Sequence, residues 1–338
     1  MTRRPWRRPW SRRRRSGRRL SLSLLIPPVL VLAAAGGVAL FAPGPGAGGA
    51  RDVVLERGGG VLGVGETLRR AGVVRSAWLF AVVAEVTGAG SRLKAGEYAF
   101  APHESLISVI EAIARGQVVR RFVTIPEGLT SADAAAILDR ADGLVGTAPT
   151  APEGALLPET YEVRRGETRA DVIDRMRRAR DQLLARLWAS RPAGLPYANP
   201  EQAVTLASVV EKETALPAER PRVAAVYVNR LRLGMRLDSD PTVIYGLTHG
   251  RPLGHGLTRS ELDDASPYNT YRFGGLPPTP IDNPGRASLI AALAPARSAD
   301  LYFVADGSGG HAFAATLSDH VRNVLRWRKV ERSRSGDP

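Results

Sequence analysis

The sequence contains no cysteine among its 338 residues. Neither a disulfide framework nor a thiolate metal site can form, so an exported part of this chain has to rely on its own apolar core. With 44% hydrophobic residues the chain is able to bury a sizeable core, and its length suggests about two domains.

Several signatures of common enzyme classes are also missing. None of the five histidines forms a His-x-x-x-His or Glu-x-x-His pair, so no metal site is expected. The glycine-rich turns lack the Lys-Ser/Thr of a phosphate loop, and no Gly-x-Ser-x-Gly elbow is present, which argues against a serine hydrolase. We therefore expect chemistry that needs neither a metal nor another cofactor.

Acidic residues are absent from residues 1–19, which hold ten arginines and account for most of the formal net charge of +14. A basic tail of this kind also occurs in nucleic-acid-binding proteins. Here it is followed at once by residues 20–42, LSLSLLIPPVLVLAAAGGVALFA, which carry no charge. That order favours a membrane interpretation, and nucleic acid is not expected as a partner.

Residues 20–42 are long enough to cross a hydrocarbon core of roughly 30 Å as a helix. The arginines on the N-terminal flank predict a cytoplasmic tail, a single pass through the cell (inner) membrane and an extracytoplasmic remainder. A cleaved signal peptide is the alternative, because Ala and Gly follow the apolar run, and Arg18-Arg19 allows a twin-arginine signal. All of these interpretations export the C-terminal part of the chain.

Beyond the apolar run, the composition predicts a linker at residues 43–50 (PGPGAGGA), a small module at 51–120, a larger domain at 121–330 and a tail at 331–338. Strand and helix patterns are intermixed without a regular βαβ rhythm, so the predicted fold class is α+β. In the small module, a strand at 53–55, a helix opened by Gly65-Glu66-Thr67-Leu68 and a helix capped by Ser76 precede LKAGEY (93–98). This order resembles a LysM-like module. Such a module either binds N-acetyl sugars or serves as a spacer.

The most informative segment is EQAVTLASVVEKET (201–214), an apolar helical run that ends in two glutamates. Glu213 follows Leu206, Val209 and Val210 at helical spacing, so it prolongs the bulky apolar stripe, whereas Glu211 continues the small-residue side. A carboxyl group at the edge of a core is partly desolvated, which raises its pKa toward the range of a general acid. The alternative is that Glu213 pairs with a nearby arginine, Arg220 or Arg230.

An ordered series of motifs surrounds this helix and continues toward the C-terminus. The motifs are ASVVEKET (207–214), ERP (219–221), VAAVYVNRL (223–231), GMRL (234–237), SDPTVIYG (239–246), SPYNTY (266–271), GGLPP (274–278) and LYFVADG (301–307). Together they resemble the MltG/YceG-like endolytic murein transglycosylases, over about residues 51–328 and most densely over 203–320.

The resemblance implies a membrane-tethered lytic transglycosylase that cleaves between N-acetylmuramic acid and N-acetylglucosamine in nascent glycan strands and leaves 1,6-anhydro ends. It implies that the glutamate before Thr in Glu-Lys-Glu-Thr, Glu213, is the general acid and then the base. Peptidoglycan glycan strands are the implied substrate, and peptidoglycan synthases of the elongation or division machinery are candidate partners.

Other polar and aromatic residues in these motifs are candidates for binding sugar or supporting Glu213. Each also has a plain structural interpretation: Asn229 as a turn-stabilising amide, Asp240 as a helix cap, and Glu219 as the partner of Arg220 or Arg222. The substrate-binding candidates are Asn229, Asp240, Thr242, Tyr245, Tyr268, Asn269 and Tyr271, and the supporting candidates are Glu211 and Glu219.

Two other functions remain open at this stage. A non-catalytic glycan-binding scaffold would combine the LysM-like module with a degenerate catalytic domain. A hydrolytic muramidase would leave reducing ends rather than anhydro ends, because it uses water as the nucleophile.

Overall fold

Short strands and helices are intermixed along the chain in a computed structural model, which describes residues 37, 40–45 and 49–335. The elements, in chain order, are β1 (Arg51–Leu55), α1 (Gly60–Arg70), α2 (Ala77–Val86), β2 (Gly96–Phe100), α3 (Leu106–Arg115), β3 (Arg121–Thr124), α4 (Ser131–Arg140), β4 (Thr160–Val163), α5 (Arg169–Ser190), α6 (Pro200–Glu213), α7 (Arg220–Arg232), α8 (Asp240–Thr248), α9 (Arg259–Leu262), α10 (Arg286–Leu293), β5 (Tyr302–Ala305), β6 (His311–Ala314) and α11 (Leu317–Ser335). Within the described residues, the strands form three antiparallel pairs, β1–β2, β3–β4 and β5–β6. This arrangement confirms the predicted α+β class.

The chain divides into two units, one ending at Val119 and one beginning at Arg120. In the first unit, α1, α2 and α3 pack with the β1–β2 pair around a core that includes Leu68, Phe80 and Ile110. Ser76 and Ser105 cap α2 and α3, because each hydroxyl accepts a hydrogen bond from the backbone N–H three residues later.

The first helix begins earlier than the sequence predicts. Gly65-Glu66-Thr67-Leu68 was expected to open it, but α1 starts at Gly60 and this segment lies in its second half. The helix start has no side-chain cap, so no capping signal marks it in the sequence. Gly65 instead allows close packing, since a Cβ at this position would lie 2.7 Å from the carbonyl oxygen of Ala77 at the start of α2.

Part of the predicted linker is held against the first unit. Gly44 donates its N–H toward the carbonyl oxygens of His103 and Glu104, at 3.2 and 3.1 Å. Arg75 donates to the carbonyl oxygen of Pro43 at 3.2 Å. Residues 43–45 are therefore not a free spacer, while residues 46–48 lie outside the described part of the chain.

The predicted membrane span, residues 20–42, falls mostly outside the described residues, as does the basic tail, residues 1–19. Among the residues that the structure describes, no helix has both the length and the apolar character needed to cross a bilayer.

The second unit is built around α6. Eight consecutive residues of this helix, from Ala203 to Val210, are buried, and α6 packs against α10 and α7, with smaller contacts to α5 and α8. A separate apolar cluster lies between α4, α5 and the β3–β4 pair and includes Leu138 and Met176. The burial of α6 on all sides fixes the position of whatever follows Val210.

Candidate active site

Local sequence signals determine where α6 begins and ends. Asn199 caps it, because its side-chain oxygen accepts from the backbone N–H of Gln202 at 3.0 Å, and Pro200 occupies the first helical turn. The helix ends at Glu213, since Thr214 is extended, with φ −143° and ψ 130°. Glu213 is thus the last residue of a buried helix.

The sequence predicts that only the bulky apolar side of α6, which Glu213 prolongs, faces the core. This prediction is wrong. The small-residue side of α6 is buried as completely as the bulky side: Val204, Ala207 and Ser208 have no exposed surface. The reason is that the helix is surrounded by other helices, so side-chain size does not decide which face meets the core. What distinguishes Glu211 from Glu213 is their hydrogen-bond partners.

Glu213 is half-buried and is held by two neutral hydroxyl groups. Its Oε1 accepts from the hydroxyl of Tyr227 at 2.7 Å and from that of Ser239 at 2.5 Å. Neither arginine considered from the sequence pairs with it: Arg220 binds Glu211, and Arg230 binds backbone carbonyl groups and Asp238. Within the described part of the chain, no donor is bonded to Oε2.

This environment favours the protonated form of Glu213. Desolvation is the largest effect and raises its pKa above the ordinary value. The hydrogen bonds from Ser239 and Tyr227 act in the opposite direction, and the negative charge of Asp240 acts with the desolvation. The net pKa is raised, as a general acid requires.

Ser239 was not among the residues singled out from the sequence. It occupies the N-cap position of α8 but makes no capping hydrogen bond with its side chain, because the hydroxyl is directed to Glu213. Thr270 fixes the segment by accepting from the Ser239 N–H at 3.0 Å. The signal in the sequence was Ser-Asp-Pro, which also predicts an ordinary cap.

Tyr227 was also missed, because it lies within an otherwise apolar run of α7 that indicates only a core position. Its side chain is 1% exposed. The ring meets Phe303 of β5 edge to face, with centroids 5.8 Å apart, and Phe303 in turn meets the ring of His311 at 5.2 Å. The β5–β6 pair therefore holds the tyrosine whose hydroxyl reaches Glu213.

Glu219 supports this arrangement from the start of α7. Its carboxylate accepts from the backbone N–H of His311 at 2.9 Å, bonds the His311 ring at 2.7 Å and accepts from the hydroxyl of Thr214 at 3.3 Å. Partial burial tends to raise the pKa of Glu219, but the hydrogen bonds from His311 outweigh it and the pKa is lowered. The alternative of a salt bridge to Arg220 or Arg222 is wrong, because Arg222 pairs with Asp300.

The carboxylate of Glu211 is held by an ion pair and a backbone N–H. Its Oε1 accepts from Arg220 at 2.8 Å and its Oε2 from the backbone N–H of Gly285 at 2.9 Å, while its side chain is 5% exposed. Glu127 is a second, more exposed partner of Arg220 at 3.3 Å. Both oxygens of Glu211 are thus engaged by donors.

Four of the candidate substrate-binding residues form two pairs. The hydroxyl of Tyr271 donates to Asp240 at 2.6 Å, and the charge of Asp240 acts on Glu213. The rings of Tyr245 and Tyr268 lie 5.0 Å apart. Asp240 starts α8 rather than capping it, since Ser239 holds the cap position.

The other three candidates have their polar groups engaged within the protein. Asn229 donates to the carbonyl oxygens of residues 298 and 300. Asn269 has no exposed surface, and its amide bonds three backbone groups of the loop at 262–271. Thr242 is buried and bonds Ser239 and Thr270. In this conformation, the three side chains stabilise the surrounding loops and helices through these hydrogen bonds.

The sequence did not predict a further buried carboxyl group, that of Asp282. Asp282 lies in a fully buried loop and has no exposed surface. Among the residues that the structure describes, neither of its oxygens has a hydrogen-bond partner. Desolvation raises its pKa well above the ordinary value, and the charge of Lys212 only partly opposes this. A single Asp in a Pro-rich loop gives no sequence signal of such burial.

No group of three metal-binding side chains converges anywhere in residues 37, 40–45 and 49–335.

Comparison with known proteins gives a consistent result. The family model for the YceG-like family matches residues 53–326. The endolytic murein transglycosylase of Streptococcus pneumoniae is 28% identical over 80% of this chain and 57% of its own length. That of Bacillus subtilis is 35% identical over 50% of this chain and 46% of its own length. This chain therefore spans about half the length of these curated relatives.

Among solved structures, the crystal structure of a YceG-like protein from Listeria monocytogenes superposes with a TM-score of 0.50 at 26% identity. The match covers 81% of this chain and 98% of the other.

Proposed function

This chain belongs to the YceG-like family. From this membership, and because the surroundings of Glu213 favour its protonated form, we propose that the protein is an endolytic peptidoglycan lytic transglycosylase. The proposed reaction cleaves the bond between N-acetylmuramic acid and N-acetylglucosamine inside glycan strands and leaves 1,6-anhydromuramoyl ends. The names of the two curated relatives support this activity. No cofactor is part of the proposal.

The observation that carries the proposal is the asymmetry of the Glu213 carboxyl group. Two hydroxyl groups donate to Oε1, so the orientation of the carboxyl plane is fixed and the proton of the acid form resides on Oε2. Burial keeps that proton in place at a pH at which an exposed glutamate is ionised. A single preoriented acid is what a transglycosylase needs.

In the first step, Glu213 gives its proton to the oxygen that links C1 of the muramic acid to C4 of the next sugar. The bond between C1 and that oxygen breaks, and positive charge develops on the sugar ring. The negative charge of Asp240, which Tyr271 holds by a hydrogen bond, lies close enough to Glu213 to affect its pKa. We assign Asp240 to stabilising the ring charge.

In the second step, the oxygen of the C6 hydroxyl of the same sugar attacks C1, and its proton passes to the Glu213 carboxylate. The hydrogen bonds from Tyr227 and Ser239 stabilise the carboxylate formed between the two steps. Because nucleophile and electrophile belong to one substrate molecule, their effective concentration is high and no water is consumed. The enzyme returns to its starting protonation state.

Tyr268 suits a further role in binding sugar, because its ring is only partly buried and tyrosine rings offer apolar faces to the faces of sugar rings. Tyr245 is buried in the apolar core, and its ring supports that of Tyr268. Thr279 bonds the hydroxyl of Tyr268 at 2.8 Å and holds that ring in position. Tyr268 is the proposed contact for the glycan strand away from the bond that is cleaved.

The placement of the enzyme is also a proposal. The uncharged run at 20–42 and the arginines before it support a single-pass anchor with the catalytic unit outside the cytoplasm. The strands and helices of the first unit support a LysM-like module, which either binds glycan or positions the catalytic unit. A peptidoglycan synthase is a suitable partner, since its product is the proposed substrate.

Product analysis tests the proposal directly. The full chain is incubated with purified glycan strands, and the ends are identified by mass spectrometry for the wild type and for Glu213→Gln. Anhydro ends that disappear in the variant are the expected result. Reducing ends would indicate a muramidase, the absence of cleavage by the wild type would indicate a glycan-binding scaffold, and full activity of Glu213→Gln would refute the mechanism.

A further inference from the structure

The helix α11 packs against the β5–β6 pair with one side only. His320 stacks on Tyr302, with ring centroids 5.1 Å apart, and Trp327 and Val330 lie beside Gly307 in the turn between the two strands. These contacts leave the opposite side of a 19-residue helix facing outward.

The outward side of α11 carries an apolar stripe. Leu317, Val321 and Leu325 follow one another at four-residue intervals, so they lie along one line of the helix surface. They are 60%, 49% and 53% exposed. Scattered single apolar residues on a surface are ordinary, whereas these three large aliphatic side chains form a continuous line.

Positive charge surrounds the stripe. Beside two acidic residues, Asp319 and Glu331, α11 has six basic ones: Arg322, Arg326, Arg328, Lys329, Arg332 and Arg334. Arg328, Lys329 and Arg332 are exposed in the two turns that follow Leu325, so the stripe is continued by cations. An apolar line bordered by arginines is typical of helices that lie in the plane of a bilayer surface.

We propose that α11 lies on an anionic lipid bilayer surface, with Leu317, Val321 and Leu325 at the level of the acyl chains and the arginines at the lipid phosphates. Arg322 pairs with Asp319 of the same helix, but the net charge of α11 remains positive. This charge favours an anionic surface over an apolar protein groove, which offers no anionic groups to the exposed basic side chains. Three aliphatic residues bind lipid weakly on their own. The inference therefore rests on the proposed membrane anchor, which keeps the helix close to the bilayer.

The absence of cysteine makes a direct test possible. The full chain is reconstituted in vesicles with a single fluorescent thiol label at Val321→Cys, and the label is quenched by nitroxide-bearing lipids. Ser333→Cys is the matched control, because it is an exposed position of α11 away from the stripe. We expect at least threefold stronger quenching at position 321 than at 333 in vesicles with phosphatidylglycerol.

In vesicles of phosphatidylcholine alone, the difference between the two positions should largely disappear. It should also disappear in the charge variant Arg326→Gln/Arg328→Gln/Lys329→Gln. Equal and weak quenching at both positions in phosphatidylglycerol vesicles would overturn the proposal. So would a label at 321 that is shielded from water to the same extent in every lipid composition and is not quenched by the nitroxide lipids, because this would indicate a protein contact.

The outcomes separate this inference from the proposed function. A full chain that does not enter vesicles at all would contradict the membrane anchor. A chain that is anchored and forms anhydro ends, but shows no lipid contact at position 321, would contradict only the role of α11.

Discussion

Two glutamates that stand two positions apart on one helix experience different chemistry. Glu211 is bonded at both oxygens, by a buried arginine and by the N–H of Gly285. Glu213 has two hydroxyl donors on one oxygen and, within the residues that the structure describes, none on the other. An ion pair stabilises a carboxylate, and desolvation without a cation stabilises the acid. The different roles proposed for the two residues follow from these partners.

Replacing the proposed acid should make the protein more stable. In the native state, burial raises the pKa of Glu213, so the folded protein binds a proton that the unfolded chain releases as the pH rises above 4.5. Stability therefore falls with rising pH over the interval between the unfolded and the folded pKa. Glu213→Gln removes this loss and keeps an oxygen for Tyr227 and Ser239. We expect a higher Tm at pH 7 with no cleavage of glycan.

Thermal unfolding measured at pH 4 and at pH 7 checks this prediction, because the gain should be smaller at the lower pH. A variant that is inactive and also less stable at pH 7 would indicate that Glu213 is needed for folding rather than poised as an acid.

The hydroxyl of Tyr227 should tune the same carboxyl group. Its hydrogen bond lowers the pKa of Glu213 against the larger effect of desolvation, so Tyr227→Phe should raise that pKa further. The fall of kcat on the alkaline side, where the acid form is lost, should shift to higher pH. Because the carboxylate formed after the first step loses a donor, kcat at its optimum should fall roughly tenfold.

The pH profile of kcat tests the role of Tyr227. Tyr197→Phe is the matched control, since this buried hydroxyl donates to the carbonyl oxygen of Ala292 at 2.9 Å and does not reach Glu213. An unshifted alkaline limb in Tyr227→Phe, or the same shift in Tyr197→Phe, would contradict the role assigned here.

The choice of Glu213 came from the sequence, but the residues that hold it did not. A motif and the end of an apolar run single out Glu213. Ser239 and Tyr227 become visible only when α6, α7 and the start of α8 are brought together, because contacts between distant segments leave no periodic pattern. For the same reason, Asn229 and Asn269, which look like sugar-binding amides in the sequence, turn out to have backbone partners.

Among the elements, helix starts with a capping residue were predicted well. Ser76 accepts a hydrogen bond at the helix start that the sequence predicts, and Ser105 and Thr130 cap their helices in the same way. The start of α1 has no such residue, and its prediction was wrong by several positions. Local chemistry thus marks an element boundary only where a side chain takes part in it.

The ion pair between Glu211 and Arg220 connects the end of α6 to the start of α7. Their side chains are 5% and 9% exposed, respectively, so Glu211→Ala would leave a buried guanidinium without its closest counter-charge. We expect a loss of about 3–5 kcal/mol in the free energy of unfolding. Urea titration measures it.

Glu127→Ala is the matched control for this ion pair. Glu127 bonds the same arginine, but its side chain is 40% exposed, and we expect a loss of below about 1 kcal/mol. Equal losses in the two variants would show that the burial of Glu211 does not matter for the stability of α6.

At the scale of the whole molecule, each of the two units has its own apolar core, and Asp282 is a buried carboxyl group that affects stability. The apolar cluster of the first unit contains Phe80, and the cluster around α6 in the second unit contains Val209 and Leu289. The α+β class was predictable because the strand and helix patterns are intermixed in the sequence. The loop that buries Asp282 was not, because its burial depends on packing against α6, where Ser208 accepts from the N–H of Ile281 at 3.0 Å.

Asp282 should make the molecule less stable as the pH rises. Its pKa is raised in the folded state by desolvation, so above pH 3.8 the unfolded chain loses a proton that the folded protein keeps. Stability declines across the interval up to the folded pKa. In Asp282→Asn this contribution is absent, and the pH dependence of the unfolding free energy should be shallower than in the wild type.

Denaturant unfolding at a series of pH values measures this difference. Asp263→Asn is a suitable control, since this carboxyl lies on the surface at the end of α9 and should leave the curve unchanged. Parallel curves for the wild type and Asp282→Asn would refute the prediction.

The position of Glu213 at the last residue of α6 has an electrostatic consequence. The aligned peptide dipoles of a 14-residue helix place partial negative charge on its final carbonyl groups. This helix pole disfavours the carboxylate of Glu213 and attracts a cation, and in the proposed reaction the sugar ring becomes cationic beside it. A protonated imino-sugar should therefore inhibit the proposed activity more strongly than a neutral sugar lactam of the same shape.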